Sequence, residues 1–509
     1  MTENKRPNVV IFMTDHYRGD MAPPYGRCLT PNIDSIYNDG GVAFTNCFAP
    51  SPHCCPSRAT FHTGLYPSEH GVWNNVNVGN TLSRGLNDGV STWSVKLAEE
   101  GYKLYHSGKW HVSSEEGPED FGWINICGNE KYSGKQGYRP GPNPYEWSRY
   151  VKNNCFTDLK GADPQSVRKE GQLIREGYPN FYLYGEAGSP FGNRQIENDE
   201  KVVAAAEKQL RECCQNPDQP FVLYCGCIGP HDPYFVPKRF LDMYDINDIE
   251  LPKNFYDNML DKPNLYRKTK ERFAQLTVEE YKEAIRHFMA YCTYEDWLFG
   301  RLVKILKEEG QYDNTIIIFT SDHGDYCGEH GLFAKGLPCF RPAYHVPMVI
   351  RWPQVTTVRD ERNIDKYISL ADFAPSILEM CGVEYDKDSY SGKSFVPLIK
   401  GDSEAIASWK DEMYTQSNGN ELYGIQRSIM TPKWKYVYNG FDYDELYNLE
   451  EDPYELVNVA NKPENRPIIR ELAAKLWKFA YDRKDTCINP YIMVSLAEFG
   501  PGIIFENEK

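Results

Sequence analysis

Short runs of apolar residues recur along this chain without polar interruption, and each leads to a residue that can do chemistry. Val9-Val10-Ile11-Phe12-Met13 leads to Asp15, Phe221-Val222-Leu223-Tyr224-Cys225 to His231, and Ile316-Ile317-Ile318-Phe319 to Asp322 and His323. An unbroken apolar run of this length predicts a strand in a sheet covered on both faces. Helical periodicity fills the intervals: over 92–100, over 198–214 with Val202, Val203, Ala206, Leu210 and Cys213 on one face, and over 278–310. Strands alternating with helices predict an α/β sandwich on a central, mostly parallel sheet, with functional groups at the carboxyl ends of its strands.

Two stretches depart from this alternation. Residues 127–197 are rich in Gly, Pro, Tyr and Asn, as in Tyr138-Arg139-Pro140-Gly141-Pro142-Asn143-Pro144-Tyr145. They predict an insertion over the edge of the active site, where substrate-selecting loops sit. Near residue 400 the texture changes again. Residues 434–438 and 445–449 pattern as antiparallel strands, and 466–483 as an amphipathic helix. The expected organisation is a catalytic α/β domain over 1–400 and a smaller α+β C-terminal subdomain over 401–509. The last twenty residues are apolar and aromatic, so they should pack on the core, on the cleft or on another subunit of a homo-oligomer.

Composition removes several function classes. With 41% hydrophobic and 25% charged residues the chain reads as a soluble globular protein. A net charge of −16 disfavours nucleic acid or an anionic membrane as partner. No apolar leader precedes the first strand, and no run is long enough to span a bilayer. Fifteen cysteines, an odd number without a repeating framework, fit reduced thiols, so a cytoplasmic location is expected. Cys225-x-Cys227 and Cys213-Cys214 lack a second pair at zinc spacing.

One segment carries the most chemistry: Cys54-Cys55-Pro56-Ser57-Arg58-Ala59-Thr60-Phe61-His62-Thr63-Gly64. Pro56 suits the first turn of a helix, which puts Cys54 at a helix N-terminus, where backbone donors and the dipole favour an anion. The segment resembles the signature of the type I sulfatases, C-x-P-S-R followed by T-G. The resemblance spans residues 7 to about 480 and implies an alkaline-phosphatase-like sandwich. It implies too that Cys54 is converted to formylglycine by a dedicated maturation enzyme, giving an aldehyde hydrate as nucleophile.

The same resemblance assigns the remaining site. Asp15, Asp322 and His323, with the group at Cys54, are the implied metal ligands, for Ca2+ first and Mn2+ or Mg2+ behind it. His16 stands where many members carry a second acid, and reads as a ligand, a group behind the ligands or a substrate contact. Gly108-Lys109-Trp110-His111 resembles the family's G-K-x-H element, with Lys109 on sulfate and His111 as base. His231 in Pro230-His231-Asp232-Pro233 matches a sulfate-binding histidine that can protonate the leaving oxygen. Lys335, thirteen residues beyond Asp322, falls at the second sulfate-binding lysine, and Arg58 supports the nucleophile and offsets the carboxylates. His53 and His330 are further candidate contacts, whereas His287, within a helical pattern, reads as structural.

The reaction implied is hydrolysis of a small anionic sulfate monoester. Asn74 and Asn75 after the double cysteine are similar to N-acetylglucosamine-6-sulfatases, which points to a sulfated sugar. Two rival readings stay open. One is a phosphonate monoester or phosphodiester hydrolase of the same superfamily, although such relatives replace the Lys-x-His element with neutral residues. The other is a catalytically silent carbohydrate- or metal-binding relative.

Overall fold

Across the central sheet the strands run Asn363–Ser369, Val42–Phe48, the short pair His345–Val346 and Met348–Arg351, Thr315–Ser321, Asn8–Thr14, Phe221–Gly226, Lys103–Gly108 and Ile124–Gly128. The short pair runs antiparallel to its neighbours and every other pairing is parallel. This computed structural model describes residues 6–128, 158–177, 181–188, 194–420, 422–493 and 496–508. Most of the insertion expected over 127–197, including 138–145, lies outside the described residues.

The apolar runs are continuous because alternate residues serve opposite faces of the sheet. Val10, Phe12, Leu223, Cys225, Ile317 and Phe319 enter one apolar layer, with helices Arg194–Cys214 and Val278–Glu308. Val9, Ile11, Val222, Tyr224, Ile316 and Ile318 enter the other, with helices Cys54–Thr63, Trp93–Glu99 and Phe373–Met380. The α/β sandwich therefore follows from the pattern. On the Arg194–Cys214 helix Cys214 takes the buried place and Cys213 is only half-buried, one position on from the residue the periodicity marks.

Beyond residue 410 an antiparallel sheet of Met413–Gly419, Tyr423–Met430, Trp434–Asn439 and Glu445–Asn448 forms the core of the α+β C-terminal subdomain. Period-two alternation again divides its residues. Ile429, Tyr436 and Leu446 pack under helix Arg466–Asp482, while Met430, Val437 and Tyr447 pack against Phe48, Tyr326 and Phe340 of the main body. The apolar tail returns to this subdomain. Cys487 and Ile492 are buried in its core, and Trp477 Nε1 donates to Phe499 O at 2.7 Å. Of the core, the cleft and another subunit, the tail packs, among the described residues, on the core of its own subdomain.

Four neighbouring parallel strands deliver the chemistry to one edge. Asp322 follows Thr315–Ser321, Asp15 follows Asn8–Thr14, His231 lies five residues beyond Phe221–Gly226, and Lys109 follows Lys103–Gly108. Gly108 is required at this edge. Its φ is +96°, and a Cβ would lie 2.1 Å from Gly226 O.

Candidate active site

The chain is extended at His53 (φ −115°, ψ 145°) and enters the helix at Cys54, which is 1% exposed. The Cys54 Sγ lies 3.2 Å from His323 Nε2 and 3.7 Å from Asp15 Oδ1. Burial and Asp15 would push this thiol up, but Lys109, Lys335 and His323 outweigh them and bring its pKa below the ordinary value.

Around Cys54 the acceptors converge. Asp15, Cys54, Asp322 and His323 are all buried, with their ligand atoms within 4.8 Å of one another. Asp322 is pinned through both oxygens: Arg58 Nε donates to Oδ2 at 2.8 Å and His323 N to Oδ1 at 2.8 Å. His323 Nδ1 donates to Gly324 O at 2.9 Å, so Nε2 faces the cluster. Burial lowers the ring's pKa, but Asp322, Cys54 and Asp15 outweigh it and raise it to about 9, so a cation bound there would displace a proton. Two carboxylates, one imidazole nitrogen and the group at residue 54 form a donor set that fits a hard divalent cation.

Arg58 lies beneath this floor, fully buried. Besides Asp322 it donates to Lys109 O (3.2 Å), Tyr224 OH (3.0 Å) and Thr14 O (3.3 Å), and its Nη2 is 3.9 Å from Asp15 Oδ2. It holds the two carboxylates and does not reach the cleft wall.

The cations adjoin this cluster. Lys109 Nζ pairs with Asp15 Oδ2. Lys335 Nζ lies 2.5 Å from His16 Nε2 and 3.0 Å from His231 Nε2. Burial lowers the proton affinity of both lysines, but Asp15 and Cys54 reverse the effect, so both ammonium groups stay charged. His231 Nδ1 donates to Asp232 O at 2.5 Å, so its Nε2 accepts from Lys335. Burial and Lys335 pull its pKa down to about 4. His111 adopts φ +57°, and its Nε2 donates to Asn77 Oδ1 at 3.0 Å, leaving Nδ1 as the ring's acceptor.

His16 borders the cluster around Cys54, with Nε2 3.7 Å from Asp15 Oδ1 and its ring 4.7 Å from that of His323. Its Nδ1 is 2.8 Å from Asp325 Oδ2, and it forms a second group of metal-capable atoms with Asp15 and His231. Burial, then Lys335, depresses its pKa well below the usual value, so the ring is neutral. His53 and Asn75 line the cleft, with Asn75 Oδ1 accepting from Cys55 N at 3.2 Å. Asn74 is turned away, bonded to Asn420 O. His330 is not at the cleft. It stacks on Phe340 at 3.6 Å and pairs with Asp257 at 2.8 Å, and the expectation of a substrate contact there is corrected. His287 bonds Glu283 O one turn back in its helix, a structural role as expected.

Two functional partners escaped the sequence reading. Asp325 orients His16 and accepts from Tyr234 OH at 2.8 Å; the signal available was its place three residues after Asp322. Asn77, which orients His111, had no signal beyond its closeness to Asn74 and Asn75. Above these groups opens a cleft of about 930 Å³, large enough for a sugar-sized ligand.

The sulfatase family model matches residues 7–383, and a second, described as N-sulphoglucosamine sulphohydrolase, C-terminal, matches residues 328–482. An arylsulfatase of Clostridium perfringens is 27% identical over 496 residues, covering 94% of this chain and 95% of its own. An N-acetylglucosamine-6-O-sulfatase of Bacteroides thetaiotaomicron is 27% identical over 516 residues, covering 95% and 88%. Among solved structures, a phosphonate monoester hydrolase from Silicibacter pomeroyi has a TM-score of 0.72 at 19% identity, covering 97% of this chain and 98% of its own. A structure in complex with its substrate D-glucosamine-2-N,6-O-disulfate has a TM-score of 0.67 at 21% identity, covering 95% and 99%. The two structural likenesses show the fold.

Proposed function

The chain belongs to the sulfatase family of sulfuric ester hydrolases, and we propose on that premise that it cleaves the S–O bond of a small, sugar-borne sulfate monoester. The observation that carries the reading is what surrounds Cys54: four buried metal-capable groups, with the buried ammonium of Lys109 on Asp15 and the half-buried one of Lys335 between His16 and His231. Residue 54 acts in our reading as formylglycine, which supplies an aldehyde-hydrate oxygen as nucleophile. Asp15, Asp322, His323 and residue 54 would hold a divalent cation, calcium before manganese or magnesium, which supplies positive charge at that oxygen. Cys54 is 1% exposed, which supports conversion by the maturation enzyme before the chain closes over it.

The chain's own groups then have distinct tasks. Lys109 and Lys335 bind the non-bridging oxygens of the sulfate in a site shielded from water, where such charges act strongly. His231 Nε2 stands beside Lys335, and a bound anion raises its proton affinity, so that it can protonate the leaving oxygen. Asn77 holds His111 with Nδ1 as acceptor, the atom that takes a proton when sulfate departs. Asp325 turns His16 so that its Nε2 faces Lys335, while burial and Lys335 keep the ring neutral. The free thiols support a cytoplasmic place of work.

The rival reaction is hydrolysis of a phosphonate monoester, and the presence of both Lys109 and His111 weighs against it. Sulfate release from N-acetylglucosamine 6-sulfate, measured beside phenol release from phenyl phenylphosphonate, decides between them. The sulfate ester should have the larger kcat/KM; the reverse order would transfer the chain to the rival reaction.

A further inference from the structure

The cleft carries more positive charge than one sulfate needs. Beyond Lys109 and Lys335 it is lined by Arg175, Lys268 and Arg272, against only Asp232 and Glu271, in a protein of net charge −16. Asp232 is engaged with His231, whose Nδ1 lies 3.2 Å from its Oδ1. Elsewhere on the surface, arginines are neutralised: Arg301 by Glu200 and Glu207, Arg211 by Glu308 and Glu309. Among the described residues no carboxylate lies within ion-pair distance of Arg175, Lys268 or Arg272.

This cationic rim is assembled from two segments fixed to each other. Ile174 N donates to Gln275 Oε1 at 3.0 Å, and Gln275 Nε2 donates back to Ile174 O at 2.7 Å. That reciprocal clamp sets Arg175 beside the turn that carries Arg272, and Arg175 Nη2 reaches Glu271 O at 3.4 Å. Arg272 is stiffened by stacking, with Cζ 5.2 Å from the Phe181 ring centroid and 5.4 Å from that of Phe273. The dipole of helix Asn264–Glu271 accounts for a lysine in its last turn, but not for an arginine brought in from another segment. Arg272 and Asp232 line the same cleft as His231 and Lys335, so the rim and the sulfate end share one cavity.

We propose that Arg272, Lys268 and Arg175 form a second anion subsite, so that the substrate is a sugar carrying a further sulfate or carboxylate besides the ester that is cleaved. Arginine suits this because its planar fork meets either anion through two parallel N–H bonds. The inference rests on the sulfate-ester reading for the cleft as a whole, yet it can be tested apart from turnover.

The test is calorimetric binding at low salt to the full chain carrying Cys54→Ala, so that bound ester is not consumed. Three probes are compared: N-acetylglucosamine 6-sulfate, glucosamine 2-N,6-O-disulfate, and N-acetylglucosamine 6-sulfate linked to glucuronate. A doubly charged probe should bind roughly tenfold more tightly than the first, as expected for two or three solvent-facing charge contacts. The second and third probes tell a sulfate from a carboxylate at the rim. The preference should fall to near unity when Arg272→Gln and Lys268→Gln are added. No preference among the probes, including no binding of any, overturns the subsite, as does a preference that survives the double substitution. Sulfate release by the mature, unsubstituted enzyme reports separately on the hydrolase reading. Release without a binding preference defeats only the subsite, and a preference without release defeats only the hydrolase.

Discussion

Substituting Arg58 tests whether the site is held from beneath. Arg58 is fully buried and makes four hydrogen bonds, to Asp322, Lys109 O, Tyr224 OH and Thr14 O. In Arg58→Lys one ammonium can keep the Asp322 pair, but it cannot span the other three acceptors. At about 1 kcal/mol for each lost bond the loss is about 3 kcal/mol. Arg58→Met leaves a buried carboxylate without its cation, a change that costs about 3–5 kcal/mol. With unfolding entropy of about 2 cal/mol/K per residue, a chain of 509 residues loses roughly one degree of melting temperature per kcal/mol. Differential scanning fluorimetry should then show Arg58→Lys about 3 °C below the parent, and Arg58→Met lower still. Sulfate release should fall about a hundredfold in both, because displacing Asp15 and Asp322 by an ångström is enough for that loss. A methionine variant melting within about one degree of the parent would refute the idea that Arg58 balances the two carboxylates.

Three further outcomes follow from the geometry. Lys335→Ala should lower kcat/KM about 10²–10³-fold with metal content unchanged by elemental analysis; normal turnover would mean that another group binds the sulfate. His111→Ala should slow sulfate departure, so rapid-quench kinetics should show a burst of released alcohol followed by a slow phase, and slow turnover without a burst would point to a different base. Glu295, beside Asp199 and Cys227, is buried, and burial followed by the Asp199 charge holds its pKa well above the usual carboxylate range. The unfolded chain ionises this group first, so folding stability falls as pH rises above about 4.3, by about 1.4 kcal/mol per unit until the folded group itself titrates. Glu295→Gln removes that loss, and melting curves at pH 8 should place the variant at or above the parent; a drop of several degrees would mean that the native carboxylate is ionised and neutralised by a partner.

The parts of the site that could be read from sequence are those whose position is fixed by local pattern. Asp15 and Asp322 stand directly after unbroken apolar strands, and a strand buried on both faces has one end at which a carboxylate can meet solvent and ligand. Pro56 marks a helix start at Cys54, and the helix begins there. What escaped depends on distant segments meeting. Asn77 reaches His111 from a loop 34 residues away, and the pairing of Arg175 with Arg272 passes through Gln275, about a hundred residues on. No periodicity marks such loop residues. His330 shows the opposite error: residue type suggested a contact, but a histidine can equally fill a buried aromatic stack, and only its neighbours Phe340 and Asp257 decide which.

Everything in the account turns on what residue 54 becomes. The most direct measurement is the mass of the tryptic peptide that spans Cys54, taken from protein made in its own host. Loss of the sulfur and gain of an aldehyde are expected at that position, in a preparation that releases sulfate from sulfated sugars. An unmodified thiol in protein that still turns over would contradict the formylglycine mechanism and make the cysteine itself the nucleophile.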